Sequence, residues 1–312
     1  MPRDAELTLL VNPEGMSAAT DVPFLERCFG TRWSEAAYRW YLKRPFGCES
    51  PDRLILTAGE SPVAGCGLVY RLLRTPDGAV HPVSVAIAAG TLPEQRGRGY
   101  YARVMQAAAD RSARRGCTAL LGFATADNAS TRGLQRLGAM LIASAYISSS
   151  SVSHPRSAAT LWTCAARVTD RWPARAGARL GRVPAQAGFH YPDVKAWVSQ
   201  MVERPHPVQP LRVGASCRAL VENVGGTDRL QWLDGDDRER VAAVAALAAR
   251  ALHRRRHFFM YSTRPGDAEA AHRLGLQVRP GCMIVLPLGA GHGATVRDWA
   301  TLPWHVQSGD RM

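Results

Sequence analysis

The chain has 312 residues, of which 46% are hydrophobic and 21% are charged, as is typical of a folded protein and not of a disordered one. At about 100–200 residues per domain, this length predicts two domains or one large one. No apolar stretch approaches the roughly 20 residues that span a bilayer, and the N-terminal residues lack the pattern of a secretory signal peptide. We therefore expect a cytoplasmic protein that has no membrane partner.

The net charge of +13 suggests nucleic acid as a first partner. Only two of the basic residues are lysines, Lys43 and Lys195, and the arginines are spread along the whole chain. A GC-rich genome enriches arginine without any selection for binding, so we interpret part of this charge as background. We expect any DNA binding to be weak and strongly salt-dependent, because unspecific charge would carry it.

The seven cysteines are odd in number, and none of them forms a CxxC pair. Their spacing does not match a metal site, so we expect no bound metal. Reduced thiols in a cytoplasmic protein are the interpretation that this pattern favours.

The first half begins with a predicted helix within residues 24–47, where apolar and aromatic residues recur at helical spacing until Pro45 and Gly47. Two strands are predicted over Arg53–Ala58 and Val63–Leu73, joined by a turn. A third apolar extended run covers Val80–Thr91. These segments predict the antiparallel part of a sheet.

The pattern then changes to alternating helices and strands. Tyr101–Arg115 is predicted as an amphipathic helix, and Cys117–Thr125 is an apolar run that is typical of a strand buried on both faces. Asp127 or Asn128 caps a short helix that runs to Leu137, and Ala139–Ser148 is another strand. The predicted fold class is α/β or α+β, a mixed sheet flanked by helices.

The second half is harder to interpret. Residues 148–157 are polar enough for a linker or a loop, and residues 165–235 contain many prolines and short apolar pieces. Regular elements return in the order helix, strand, helix, strand, over Asp236–His253, His257–Thr263, Gly266–Leu274 and Cys282–Leu288. This order repeats that of the first half. One interpretation is a degenerate second copy of the same architecture, with domains at 1–155 and 156–312, although no sequence identity between the halves supports it.

The segment Pro93-Glu94-Gln95-Arg96-Gly97-Arg98-Gly99-Tyr100-Tyr101 lies between an extended run and an amphipathic helix. A glycine-rich turn at a helix start leaves several backbone N–H groups unpaired, and the helix dipole adds positive charge there. Gly97 and Gly99 would let the backbone approach a ligand closely. The segment is therefore a candidate pyrophosphate site, and the alternative is a plain turn with basic residues on its surface.

The loop is neither a GxGxxG dinucleotide motif nor a Walker motif. Its pattern over Thr91–Gly99 instead resembles the R/Q-x-x-G-x-G/A acyl-CoA-binding motif of the GNAT superfamily of N-acetyltransferases. Arg96 takes the first position of that motif and Gly99 the middle glycine. Asp127–Ala139 resembles the next motif of the family, in which an asparagine precedes a short helix. The resemblance covers residues 50–148, about a third of the chain.

The resemblance implies a set of residues that would bind acetyl-CoA or another acyl-CoA as cosubstrate. Backbone amides of the loop would hold the pyrophosphate, and Asn128 would bond a pantetheine amide. The strand ending near Ala89–Leu92 would splay from its neighbour to admit pantetheine, and an amide near Ala89 or Thr91 would polarise the thioester carbonyl. The full set is Ala89, Thr91, Leu92, Arg96, Gly97, Arg98, Gly99, Tyr100, Tyr101 and Asn128.

The sequence departs from the family pattern at three places. Tyr101 stands at the last small residue of the loop, and Leu134 stands where many members carry a tyrosine that protonates the departing thiolate. The strand Val83–Ala89 has no carboxylate to act as base. Tyr146 and Tyr261 are the remaining candidates for a general acid.

We therefore expect an acyl-CoA-dependent N-acyltransferase in which an amine attacks the thioester directly within a ternary complex. The acceptor would be a small-molecule or carrier-bound amine, and the second half would form one wall of its site. The sequence does not decide the oligomeric state. Two alternatives stay open: an inactive acyl-CoA-binding sensor or scaffold, and a basic nucleic-acid-binding protein.

Overall fold

A computed structural model describes residues 6–46, 49–149, 167–168, 185–235, 237–289 and 296–311. In this part of the chain, thirteen strands form one sheet with helices packed on it. None of the helices among these residues is long and apolar enough to cross a membrane. Of the predicted linker or loop at 148–157, residues 150–157 lie outside the described residues.

Residues 18–42 form two helices, α1 (Ala18–Phe29) and α2 (Glu35–Leu42), where the sequence predicted a single one. Gly30 ends α1 in the left-handed conformation, at φ 65°. The Ser34 side chain caps α2 by accepting a hydrogen bond from the Ala37 amide. The helix prediction was therefore wrong in its continuity, because the left-handed glycine interrupts the apolar pattern.

The first strands form an antiparallel series. β1 (Leu7–Val11), which the sequence analysis did not predict, pairs with β2 (Asp52–Ala58). β2 pairs with β3 (Ser61–Arg74), and β3 pairs with β4 (Val80–Thr91). The three predicted strands are thus present: β2 and β3 are slightly longer than predicted, and β4 has the predicted bounds.

The alternating part of the first half also follows the prediction. α3 (Tyr100–Arg114) buries one face and is followed by Gly116 at φ 75°. β5 (Ala119–Thr125) runs parallel to β4, α4 (Ala129–Arg136) is capped by Asn128, and β6 (Met140–Ser148) follows.

The second half repeats this order. After the short strands β7 (Arg167–Val168) and β8 (Gly188–His190), and helix α5 (Val194–Met201), three strands form an antiparallel series. These strands, which the sequence did not reveal, are β9 (Val208–Val213), β10 (Cys217–Val224) and β11 (Thr227–Asp234). The remaining elements are α6 (Asp237–His253), β12 (His257–Ser262), α7 (Pro265–Arg273) and β13 (Gln277–Pro287).

The two halves share strands at the centre of the sheet. The strand order is β1-β2-β3-β4-β5-β13-β6-β12-β11-β10-β9-β7, and β8 pairs with β3 outside this order. β13 of the second half lies between β5 and β6, and β6 of the first half lies between β13 and β12. Each half therefore has one strand that lies between strands of the other half or next to them, and the sheet is continuous across both halves.

The C-terminal segment 305–310 crosses this junction and enters the second half. β11 and β12 run parallel but pair only from Thr227 to Leu230, and beyond that point they separate. Gln307 and Ser308 fill the gap: the Leu233 amide donates to Gln307 Oε1 at 2.8 Å and the Tyr261 amide donates to Ser308 Oγ at 2.7 Å. A Cβ on Gly309 would overlap Met201, so the segment is closely packed there.

Candidate functional site

A cleft opens between β4 and β5 because β4 bends away from its neighbour. The register between β3 and β4 shifts between Gly65 and Gly67, which makes a bulge at Ala88 and Ala89. Ala88 has a φ of 46°, in the left-handed region that non-glycine residues rarely adopt. A bulge bends its strand, and β4 pairs with β5 only over Val83–Val85. Beyond Val85 the edges of both strands that face each other have no strand partner.

The loop before α3 presents backbone donors at one end of this cleft. The amides of Gly97, Arg98 and Gly99 donate to no acceptor among the described residues. Gly97 and Gly99 have φ values of 81° and 78°, and Gly99 is the N-cap of α3. The first amides of a helix also lack intrahelical partners, so the donors of the loop and of the helix start add together. This arrangement suits a negatively charged group.

Two adjoining cavities form the cleft, with volumes of about 220 and 480 Å³. Both are lined by Phe29, Ala89, Tyr101, Asn128 and Ser130, so they are continuous. The smaller cavity extends between β4 and β5, and the larger one reaches the loop. An elongated ligand with an anionic end would therefore fit along the cleft.

The structure brings together most of the residues that the sequence analysis assigned to acyl-CoA. Those that line the cleft are Ala89, Thr91, Arg96, Gly97, Gly99, Tyr100, Tyr101 and Asn128. Leu92 and Arg98 do not line it. Leu92 is 5% exposed in the core, and its amide donates to the carbonyl of Val63 at 3.0 Å.

The Arg96 side chain has a structural contact of its own. Its Nη2 donates to the carbonyl of Cys28 at 3.1 Å, near the end of α1. The guanidinium thus ties α1 to the loop and satisfies a carbonyl that the helix leaves unpaired. Phe29, the last residue of α1, consequently stands at the mouth of the cleft.

The two polar side-chain atoms of Asn128 have different surroundings. Its Oδ1 accepts hydrogen bonds from the Ser130 amide at 2.9 Å and from Ser130 Oγ at 2.8 Å, which caps α4. Its Nδ2 group makes no hydrogen bond to any described residue. The Nδ2 group therefore remains available as a donor at the cleft.

Tyr101 lines both cavities, and the sequence analysis considered only its amide. Burial raises the pKa of its phenol above the ordinary value of 10.0, so the group stays protonated at neutral pH. Leu134, at the position where many GNAT proteins carry a tyrosine, is 4% exposed and also lines the smaller cavity. The position that the family uses for an acid is thus apolar here.

Tyr146 and Tyr261 lie side by side on β6 and β12, with ring centroids 5.2 Å apart. Neither ring lines the β4–β5 cleft, but Arg311 does, and it stacks on both rings. Tyr146 is half-buried, whereas Tyr261 is 1% exposed and its hydroxyl has no hydrogen-bond partner among the described residues. Burial raises the pKa of both phenols.

Sequence reasoning missed Arg311 altogether. It lies in the C-terminal segment, far along the chain from the loop, and no motif surrounds it. Only the packing of that segment against β11 and β12 brings its side chain to the cleft. Among the described residues, no group of three or more His, Cys, Asp or Glu side chains could hold a metal ion.

The fold consists of two GNAT-like units that share one sheet. The model of the acetyltransferase (GNAT) family matches residues 22–139. Members of the family generally use acetyl-CoA as cosubstrate, so the match supports acyl transfer in general. No curated protein matches the chain.

Solved structures with a similar fold extend over both halves. A GCN5-related N-acetyltransferase from Sphaerobacter thermophilus has 13% identity and a TM-score of 0.59, over 90% of this chain and 96% of its own. A tandem GNAT protein from the clavulanic acid biosynthesis pathway has 12% identity and a TM-score of 0.59, over 90% and 98%. A GCN5-related N-acetyltransferase from Kribbella flavida has 16% identity and a TM-score of 0.56, over 90% and 71%. The predicted fold class, including the tandem arrangement, is confirmed.

Proposed function

We propose that this protein is an acyl-CoA-dependent N-acyltransferase that uses acetyl-CoA and a primary amine. The observation that carries the proposal is the continuous β4–β5 cleft that ends at the unpaired amides of Gly97–Gly99. An acyl-CoA has the complementary shape, a thin pantetheine arm with a pyrophosphate at one end. The unpaired strand edges would take backbone hydrogen bonds from the arm, as in strand addition.

The roles of the cleft residues follow from their positions. The amides of Gly97 to Tyr101 would hold the pyrophosphate, and the Nδ2 group of Asn128 would donate to a pantetheine carbonyl. The bulge at Ala88 and Ala89 points to an amide of Ala89 or Thr91 as the donor that polarises the thioester carbonyl. Such a donor is most effective when it is fixed in advance, and the bulge supplies that rigidity.

In the reaction, the amine nitrogen forms a bond to the acyl carbon while the carbon–sulfur bond breaks. The nitrogen loses one proton, and the thiolate of coenzyme A gains one. We assign the proton donor to Tyr146, because it is half-buried and contacts Arg311, which lines the cleft. Tyr261 is buried behind Arg311, and the Tyr101 phenol at the cleft is the next candidate.

A second candidate function is supported by one observation. Among the described residues, no aspartate, glutamate or histidine lines the β4–β5 cleft. An acyl-CoA-binding sensor needs no base, so it would tolerate this lining. An enzyme with such a lining would depend on an acceptor that enters as the neutral amine.

The test combines binding with turnover. Acetyl-CoA should raise the melting temperature of the protein, because a ligand that binds only the folded state stabilises it, and NAD or ATP should do less. Free thiol should then be released from acetyl-CoA when pooled amines are added. An unchanged melting temperature at millimolar acetyl-CoA would refute the proposal, and binding without thiol release from a broad pool would favour the sensor.

A further inference from the structure

Arg311 lines a further cavity of about 310 Å³, which we call the arginine pocket. Among the described residues, Arg311 is the one that lines both this pocket and the β4–β5 cleft. The pocket is built from both halves of the chain. Its walls include Tyr41 of α2, Arg229 of β11 and Phe259 of β12. A volume near 300 Å³ lies at the lower end of the range for small-molecule pockets.

The pocket carries positive charge that the protein does not neutralise. Arg204, Arg229 and Arg311 line it, and its described lining contains no carboxylate. Arg204 is paired, because its Nε donates to Glu222 Oε2 at 3.0 Å behind the wall. Arg229 makes no ion pair or hydrogen bond among the described residues, and Arg311 makes no ion pair there and stacks on aromatic rings instead.

Arg229 is a partly buried cation without a partner among the described residues, and such a group is costly because it loses hydration and gains nothing in exchange. An anion bound between Arg229 and Arg311 would remove that cost. Planar guanidinium groups bind carboxylate and phosphate with paired hydrogen bonds, so these two groups are the matching chemistries.

Gln231 adds a complementary feature at the same wall. Its Nε2 donates to Glu222 at 2.5 Å, while its Oε1 is buried and has no hydrogen-bond partner among the described residues. A buried acceptor without a donor destabilises the protein. An N–H group on a ligand would satisfy it, and an amine or an amide carries such a group.

We propose that the arginine pocket binds the acceptor, and that this acceptor is a small amine that carries a carboxylate or a phosphate group. The inference rests on the proposed function, because it needs a thioester in the β4–β5 cleft. Arg311 lies at the boundary of the two cavities, so an amine whose anionic end is held by Arg229 would reach toward the thioester past it. The pocket's size favours a free small molecule over a carrier-bound group.

The experiment measures binding and thiol release for matched pairs of amines. Amino acids are compared with their C-terminal amides, and O-phosphoethanolamine is compared with ethanolamine, each by calorimetry and by thiol release from acetyl-CoA. The anionic member of at least one pair should bind about tenfold or more tightly than its neutral counterpart, because it gains charge-assisted hydrogen bonds. The two kinds of pair distinguish carboxylate from phosphate.

The variants locate the effect. Arg229→Gln should weaken binding of the anionic amine, and raise its KM, about 10–100-fold while leaving the affinity for acetyl-CoA unchanged. Arg229→Lys keeps the charge and should recover part of the loss. Arg212→Gln is the control, because Arg212 is an exposed arginine on β9 outside the pocket.

The outcomes separate this inference from the proposed function. Equal binding of charged and neutral members, no binding of any anionic amine, or equal effects of Arg229→Gln and Arg212→Gln would each overturn the inference. Anionic amines that bind through Arg229 without any thiol release would overturn acyl transfer and leave the anion site standing. Thiol release with neutral amines alone would support acyl transfer and overturn the anion site.

Discussion

The guanidinium carbon of Arg311 lies 4.3 Å from the ring centroid of Tyr261. Tyr261 belongs to β12, while Arg311 follows the C-terminal segment that fills the gap between β11 and β12. A cation over an aromatic face is attracted by the ring quadrupole, and this contact holds the Arg311 side chain beside Tyr146 as well, at 4.6 Å from that ring. The chain end thereby becomes part of the wall of the β4–β5 cleft in the first half.

The proposed proton donor gives the first prediction. Tyr146→Phe should lower turnover by about 10²–10⁴-fold and leave acetyl-CoA affinity nearly unchanged, because phenylalanine keeps the ring packing and removes only the proton. Because burial raises the Tyr146 pKa, the donor should be protonated at neutral pH. Steady-state kinetics and calorimetry on the same preparations measure both effects.

Tyr261→Phe is the matched control, since its ring lies against Tyr146 but is fully buried. We expect it to retain turnover. If Tyr146→Phe is fully active, the assignment to Tyr146 is wrong, and Tyr101→Phe becomes the next variant to measure.

A second prediction concerns the loop. Gly99→Ala should weaken acetyl-CoA binding about tenfold or more, because a left-handed φ of 78° strains any residue with a Cβ and the loop must shift its amides. Gly116→Ala is a close control: Gly116 has a φ of 75°, an added Cβ meets nothing within 4 Å at either position, and Gly116 lies outside the cleft. Both variants should lose similar stability. Equal acetyl-CoA affinity in the two would mean that the loop does not bind the pyrophosphate.

The third prediction is a stoichiometry of one acetyl-CoA per chain, measured by calorimetry. The gap between β11 and β12 is the counterpart of the β4–β5 cleft, but Gln307 and Ser308 occupy it and use the amides of Leu233 and Tyr261. The segment is held further by Asp310, whose carboxylate accepts a hydrogen bond from Tyr191 Oη at 2.7 Å. Two equivalent sites per chain would show that this segment leaves the gap.

The fourth prediction concerns stability and pH. Asp52 is 1% exposed and accepts hydrogen bonds from Asn12, directly after β1, from Tyr70 of β3 and from Arg111 of α3. Burial alone would raise the Asp52 pKa, but these hydrogen bonds outweigh it and lower the pKa to about 2. A folded-state pKa below the unfolded value of about 3.9 stabilises the protein above that pH, and this stability is lost as the pH falls towards 2.

Asp52→Asn should therefore reduce the free energy of unfolding by about 1–3 kcal/mol at pH 7. The difference from the unmodified protein should shrink as the pH falls from about 4 to about 2, in denaturant titrations. Asp110→Asn, an exposed change on α3, should have little effect at either pH. A constant difference across this range would show that the Asp52 charge does not stabilise the fold.

Local patterns in the sequence were sufficient to predict the elements around the loop. Residues close together in the sequence determine each of these elements: the start of α3 near Tyr101, the buried strand β5 and the cap at Asn128. The helix break at Gly30 and the strands β9–β11 were not found. Their apolar patterns are short and interrupted, and their positions depend on pairing with neighbours rather than on local preference.

The sequence by itself therefore predicted a loop and helix start suited to a pyrophosphate within residues 50–148, because glycine spacing and helix polarity are local properties. The expectation of an acyl-CoA came from the resemblance to the GNAT motifs. Only the tertiary structure decided that β13 lies between β5 and β6 and that β6 lies between β13 and β12. It also decided how the C-terminal segment fills the gap between β11 and β12, and where Arg311 lies. These features pair residues more than a hundred positions apart, such as Phe123 with Met283. No local periodicity encodes such pairs, because they are selected by the packing of the whole sheet.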